Sequence, residues 1–415
     1  MSSQSDIPAY LQAQNSTLKD TWATYLGRVR GGDMGPLPAV IGLIVLVILF
    51  SVLRPVFFTP LNFANFFTQA AVVAVLAMGI VFVLLLGEID LSAGVTSGVA
   101  GSLLAVTMAR NGLSWYVALA LALVVGLLIG LFIGVLVAKV GIPSFVVTLA
   151  LFLAFQGLVL VIIGEGGNVR VTDPVILAIE NSNMPIWLGW TLYAVMVLGY
   201  LLAALNGRRR RLVRGFSGTP LSVILIKVAV IAVVGFATVW VLSLERSTNP
   251  EVNPLSGVPI IIPIIAVIAL VFGFVLERTK FGRHVYAVGG NVEAARRAGI
   301  RIQQVRIAVF AICSTTAAFA GVVAASRAAS VDPNAGRFIV LSAIAAAVIG
   351  GTSLFGGRGR IYDALIGAAV VAVIDNGMGL LGYSAGVKLM ITGGVLMLAA
   401  GADALSRKRS TSTGR

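Results

Sequence analysis

Twelve apolar runs constrain this chain more than any other feature. They cover residues 37–54, 67–86, 91–109, 115–138, 142–163, 188–205, 219–243, 258–276, 306–326, 338–355, 361–381 and 385–403. Each has about the 17 to 25 residues that a helix needs to cross the hydrocarbon of a bilayer. A backbone in lipid must satisfy its own polar groups, so such runs are expected as helices and not as open strands or loops. The soluble alternative fails on composition. With 58% hydrophobic and 11% charged residues and a mean hydropathy of +1.01, too few charges exist to cover that apolar volume in water. The expected fold is all-α, a polytopic membrane helical bundle of about twelve apolar segments over residues 37–403. The 47 glycines fit a compact bundle with glycine-interrupted helices.

A net charge of +14 would point to nucleic acid in a soluble protein, but here it sorts by membrane side. With both termini in the cytoplasm, all but seven of the 30 lysines and arginines lie on the cytoplasmic side. The seven are Arg54, Arg110, Arg170, Arg246, Arg327, Arg337 and Lys388. This asymmetry obeys the positive-inside rule, so the charge is expected to reflect topology and no nucleic-acid partner. The block RRRRLVRG at 208–215 is placed to touch anionic lipid headgroups, and Thr219 with Pro220 read as cap and first residue of the next helix. Residues 164–185 carry Glu165, Asp173 and Glu180 against Arg170 alone, a net-acidic loop expected outside. Residues 1–36 are polar and lack the apolar core of a removable signal peptide. They are expected as a cytoplasmic N-terminal segment, and 404–415 as a basic cytoplasmic tail.

A long basic loop, 277–305, interrupts the apolar pattern with ERTKFGRHVYAVGGNVEAARRAGIRIQQV. Within it Asn291, Glu293, Ala294, Ala295, Arg297 and Gly299 read as a short helix ending at a glycine, with acid near its start and arginine near its end. A cytoplasmic loop of that size is expected as a docking surface. Gly126, Gly130 and Gly134 fall four apart and form a ridge on which a second helix can pack closely, within one subunit or between two. GEIDLSAG at 87–94 and GGTSLFGG at 350–357 share the frame Gly-x-x-x-Leu-x-x-Gly. Such paired glycine-interrupted segments are what an internal transporter repeat leaves behind.

Enzyme motifs are missing from the sequence. There is no GxxxxGK[ST] or HExxH; His284 is the single histidine and Cys313 the single cysteine, which excludes an intramolecular disulfide and a cysteine metal cluster. No catalytic residue, metal or cofactor is therefore expected in this chain, and any ATPase must be another polypeptide. Polar groups at membrane depth are the better candidates, because a carboxylate there costs several kcal/mol unless paired or hydrated. Asp90 either caps the third helix, with Glu88 at an interface, or both line a cavity in a broken, partly re-entrant GEIDLSAG segment. Asp375 and Asn376 lie deep in the eleventh run and need partners. Gln156 either bonds across helices or meets a solute. Gln156, Asn376, Phe355 and Tyr383 together would make a lining for a hydroxyl-rich solute.

Several of these strings occur in one order along the chain: GEIDLSAG, GIPSFVVTLALFLAFQG at 141–157, TKFGRHVYAVGGNVEAARRAGI at 279–300, AVIGGTSLFGGRGRIYDALIGA at 347–368 and DNGMGLLG at 375–382. Together they resemble the permease subunits of bacterial monosaccharide ABC importers, the ribose, galactose and xylose group. The resemblance implies a ten-helix core, a homodimer of permease chains in the inner membrane, an ABC ATP-binding subunit that carries ATP and Mg, and a periplasmic or lipid-anchored sugar-binding protein. It also implies that the 291–299 helix is the coupling helix. The extra pair of segments around RRRRLVRG, and DNGM at 375–378, are similar to the xylose permeases. Two alternatives stand beside this: a branched-chain amino acid ABC permease, and a proton-coupled secondary transporter using Glu88, Asp90 or Asp375.

Overall fold

The computed structural model describes residues 35–164, 167–215, 218–252 and 254–412; the expectations for residues 1–34, for Glu165 and for 413–415 lie outside the described residues. Helices form at all twelve apolar runs: α1 (Leu37–Leu53), α2 (Pro60–Leu85), α3 (Ala93–Ala109), α4 (Trp115–Val135, continued by a π turn Leu136–Val140) and α5 (Ser144–Ile163). After a strand β1 (Val169–Arg170) and a short helix α6 (Pro174–Asn181) come α7 (Ile186–Val213), α8 (Leu221–Ser243) and α9 (Ile261–Arg278). The basic loop contains two helices, α10 (Lys280–Gly290) and α11 (Val292–Arg297). The remainder is α12 (Ile302–Ala328), β2 (Ser330–Val331), α13 (Ile339–Gly350), α14 (Ile361–Leu380) and α15 (Ala385–Ser412). Among the described residues nine helices are long and apolar enough to cross a membrane, and three apolar stretches are shorter.

The chain divides into two compact units. One is built on Met184–Val258 and holds α7 and α8, the extra pair. Tyr193 donates its hydroxyl to the Ala232 carbonyl at 2.9 Å, and Trp190 packs on Phe236 with ring centroids 5.2 Å apart. The turn after α8 is closed by Arg246, whose guanidinium donates to the carbonyls of Leu242 and Gly257. Two expectations are corrected here. The RRRR block is not loop, because α7 continues through it to Val213, where cations favour a helix C-terminus. Thr219 does not cap α8. The Pro220 carbonyl already accepts the first helical N–H groups, from Val223 and Ile224, so the threonine stands one residue too early.

The second unit, residues 35–183 and 259–405, is organised around α12, a helix rich in alanine, serine and threonine. The Gly126–Gly130–Gly134 ridge of α4 lies directly on it. A Cβ at Gly130 would fall 2.6 Å from the Ala311 Cα, and one at Gly134 2.7 Å from the Ile307 Cα. The ridge thus packs within one subunit. On another side Gly101 of α3 meets the Gly321 carbonyl of α12. Small residues allow this approach, and dispersion between close backbones replaces the hydrophobic effect that lipid does not supply.

The tenth run is not one continuous helix. α13 has 12 residues, about 18 Å, against a hydrocarbon thickness of roughly 30 Å. An irregular segment, 332–338, precedes it and follows the β1–β2 pair. It brings Gly336, at φ +80°, and Ala335 into backbone contact with Gly94 and Gly98 of α3. Residues 86–92 make a matching break between α2 and α3. There the backbone of Ile89 is satisfied by α5: its N–H donates to Ser144 Oγ at 3.4 Å, and its carbonyl accepts from Thr148 Oγ1 at 3.3 Å.

Candidate functional site

The basic loop folds into a helix pair fastened to the α2–α3 break and to the α13–α14 loop. Thr279 begins α10, its hydroxyl accepting from Gly282 N at 3.2 Å, and the helix buries Gly282, Val285 and Val288 on one side. Asn291 then caps α11 by accepting from Ala294 N at 2.9 Å, and Glu293 pairs with Arg296 at 2.7 Å. Gly299 ends the turn at φ +78°, a conformation that favours glycine. Glu293, Ala294, Arg296 and Arg297 are exposed, whereas Ala295 is 3% exposed and faces the chain's own core.

Beneath this pair three backbone segments meet with almost no side chain between them. Gly289 of α10 rests on the Leu85 carbonyl at the end of α2 and beside Gly357 N, and Gly357 N itself donates to the Leu85 carbonyl at 2.9 Å. A Cβ at Gly87 would lie 3.3 Å from the Phe355 carbonyl. The two echo strings, GEIDLSAG and GGTSLFGG, therefore touch each other at the foot of α10. Tyr286 donates to the Gly359 carbonyl at 2.8 Å. Glu88 pairs with Arg306, at the base of α12, at 3.0 Å. A displacement of α10–α11 would thus bear directly on the α2–α3 break, on the α13–α14 loop and on α12.

This geometry revises several candidates. Glu88 is an anchor for Arg306, not a free carboxylate in a cavity. Asp90 is 1% exposed; its Oδ1 accepts from Ser92 N at 3.0 Å and Ser92 Oγ at 2.6 Å, and Cys313 of α12 lies beside it. It serves the turn into α3, close to the capping reading, although Ser92 and not Asp90 is the residue before the first helical turn. Asn376 is spent on packing: it and Asn62 of α2 exchange hydrogen bonds at 2.9 Å, and its Nδ2 also reaches Gln69 Oε1 at 3.2 Å. Gln156 is partly buried in α5 with its Nε2 unpartnered. Phe355 is 60% exposed in the α13–α14 loop. Phe355 precedes α14 and Tyr383 follows it, which sets them about 30 Å apart along a 20-residue helix, so the four-residue lining does not converge.

The opposite end of the second unit holds a feature that sequence reading assigned only to an acidic loop. Glu180 of α6 is 4% exposed. Its backbone N–H donates to Ser326 Oγ at 3.1 Å, while both of its carboxyl oxygens lack hydrogen-bond partners. Burial pushes this carboxyl up to about 8, with Arg327 opposing the rise. In the unfolded chain it titrates near 4.5, so the folded state holds a proton that the unfolded state releases as pH rises. Stability is then full below about pH 4.5 and declines up to about pH 8. The apparent melting temperature of the purified permease in detergent should fall from pH 5 to 9, and Glu180→Gln should flatten that slope and melt higher at pH 9. A wild-type profile that matches the variant's would show the carboxyl to be hydrated.

A bundle of spanning helices, interrupted between α2 and α3 and joined there and at the α13–α14 loop to a short helix pair, is a polytopic helical membrane protein. The chain belongs to the family described as "Branched-chain amino acid transport system / permease component", whose profile matches residues 62–400. Relatives include the xylose transport system permease protein XylH of Escherichia coli (strain K12), 34% identical over 349 residues, 84% of this chain and 86% of that protein. XylH of Haemophilus influenzae is 33% identical over 371 residues, 89% and 96% of the two chains. The ribose import permease protein RbsC of Bacillus subtilis is 35% identical over 380 residues, 91% and 95%. The resemblance to the sugar group is thereby matched along most of the chain. No solved structure matches it.

Proposed function

We propose that this chain is the permease subunit of an ABC importer for a monosaccharide, xylose or another pentose. Two copies form the translocation pathway, a separate ATP-binding subunit carrying ATP and Mg docks on α11, and a sugar-binding protein outside the inner membrane delivers the solute. The observation that carries this reading is the 33–35% identity to xylose and ribose permeases over most of the chain. The positive-inside asymmetry supports placing α10–α11 and both termini in the cytoplasm. Alternating access follows if nucleotide-driven movement of the ATPase shifts the equilibrium of two bundle states through the glycine junction at Leu85, Gly289 and Gly357. The pairing of Glu88 with Arg306 counts against Glu88 as a mobile proton carrier.

The test is uptake of radiolabelled xylose, ribose, galactose and leucine into proteoliposomes holding the chain with its ATPase and binding protein. Accumulation of a pentose only with ATPase and ATP present is the expected result. Leucine accumulation would move the assignment to the amino acid branch, and uptake by this chain alone under an imposed pH gradient would discard the ABC reading.

A further inference from the structure

The arginine block that ends α7 takes no part in the uptake scheme above, yet its fold gives it a defined face. α7 has 28 residues, about 42 Å of helix, against roughly 30 Å of hydrocarbon. Residues 186–205 carry no charged side chain and span about 30 Å on their own, so the turns from Asn206 onward emerge at the level of the headgroup phosphates. There Asn206, Arg209, Arg210, Val213 and Arg214 line an open pocket of about 190 Å³. Steps of three and four residues put them on one side of the helix. Arg208 lies outside the pocket, and a Cβ at Gly218 would fall 3.0 Å from its Cγ. No carboxylate nearby offsets these charges. Between residues 184 and 258 the acids are Glu245 and Glu251, and both follow α8, a helix of 23 residues or about 34 Å. Among the described residues the ion pairs are Glu293–Arg296 and Glu88–Arg306, so no described carboxylate neutralises the pocket. Leu198 and Leu202, eight and four residues before Asn206, continue the same side toward the hydrocarbon and are exposed.

We propose that this pocket holds the phosphate of an anionic phospholipid whose acyl chains lie along Leu198 and Leu202. Guanidinium groups suit the site because each can donate two parallel hydrogen bonds to phosphate oxygens, and the Asn206 amide adds a donor and an acceptor for headgroup hydroxyls. The apolar strip adjoining the pocket selects a lipid over free phosphate, which has nothing to place there. Of the five arginines between 208 and 214, three line the pocket, which separates a site from the diffuse attraction of a polybasic segment.

The test uses the full-length permease in a non-ionic detergent, mixed with phosphatidylglycerol or phosphatidylcholine of identical acyl chains, with bound lipid counted by native mass spectrometry. Phosphatidylglycerol should be retained at an about tenfold lower concentration, and equal retention of the two lipids overturns the proposal without recourse to any variant. Arg210→Gln with Arg214→Gln should abolish the preference. Arg208→Gln with Arg211→Gln removes the same charge from the same block outside the pocket and should preserve it; equal loss in both pairs would mean diffuse attraction and no site. Inorganic phosphate should fail to displace phosphatidylglycerol when compared with chloride at matched ionic strength. Displacement by phosphate would overturn the lipid assignment in favour of a free anion.

Discussion

Reversing the exposed charges of α11, with Glu293→Lys and Arg297→Glu together, is expected to abolish ATP-driven solute accumulation while the permease remains inserted and helical. Both side chains are exposed on a six-residue helix whose fold depends on the Asn291 cap and Gly299, so neither change removes a structural contact beyond the surface Glu293–Arg296 pair. An exposed pair is worth less than about 1 kcal/mol. At a docking interface, mismatched charges cost several kcal/mol, so uptake and ATPase co-purification should fall by about a hundredfold or more. Circular dichroism and size-exclusion profiles should match the wild type. Normal solute-stimulated ATP hydrolysis in this variant would refute the coupling assignment. Ala295→Asp is a poor probe of docking, because Ala295 is buried against the permease itself. Gly299→Pro forces a negative φ where the backbone has +78° and tests the turn instead.

The second large effect is expected at Gly289→Val. A side chain there has no room: it would enter the Leu85 carbonyl and lie 2.9 Å from Gly357 N, and both are backbone atoms already joined by a hydrogen bond. Overpacking of a close backbone contact costs about 1–3 kcal/mol or more. The variant should melt well below the wild type in detergent, and the protein that does fold should hydrolyse ATP with its partner while importing little. Gly290→Ala is the matched control, since a Cβ at Gly290 meets nothing within 4 Å. Equal melting and equal uptake for Gly289→Val and Gly290→Ala would show that the junction is loose and transmits nothing.

The runs of apolar residues were legible because a bilayer permits only one kind of answer to a 20-residue apolar segment. The capped helix at 291–299 was legible for a similar reason: asparagine, glutamate, arginine and glycine at those spacings satisfy a helix's own ends without help from the rest of the chain. The GEIDLSAG and GGTSLFGG echo marked two breaks, but nothing in the strings says that they touch. Pathway residues were read least well. Asn376 and Glu88 look alike from sequence, polar groups in apolar surroundings, and only their partners Asn62 and Arg306 distinguish a helix clamp from an anchor. Glu180 was read only as one charge of an acidic loop, because its contact with Ser326 of α12 lies far away in the chain.

The sequence by itself determined that the chain is a helical membrane protein and where a short charged helix interrupts the spans; each follows from local composition and the chemistry of water and lipid. The tertiary structure alone decided that the α4 glycine ridge meets α12, that the tenth run is a 12-residue helix preceded by an irregular segment packed on α3, and that Gly289 meets both the end of α2 and the α13–α14 loop. Those outcomes depend on which surfaces come within van der Waals reach, and glycine records that a close approach is permitted without recording its partner.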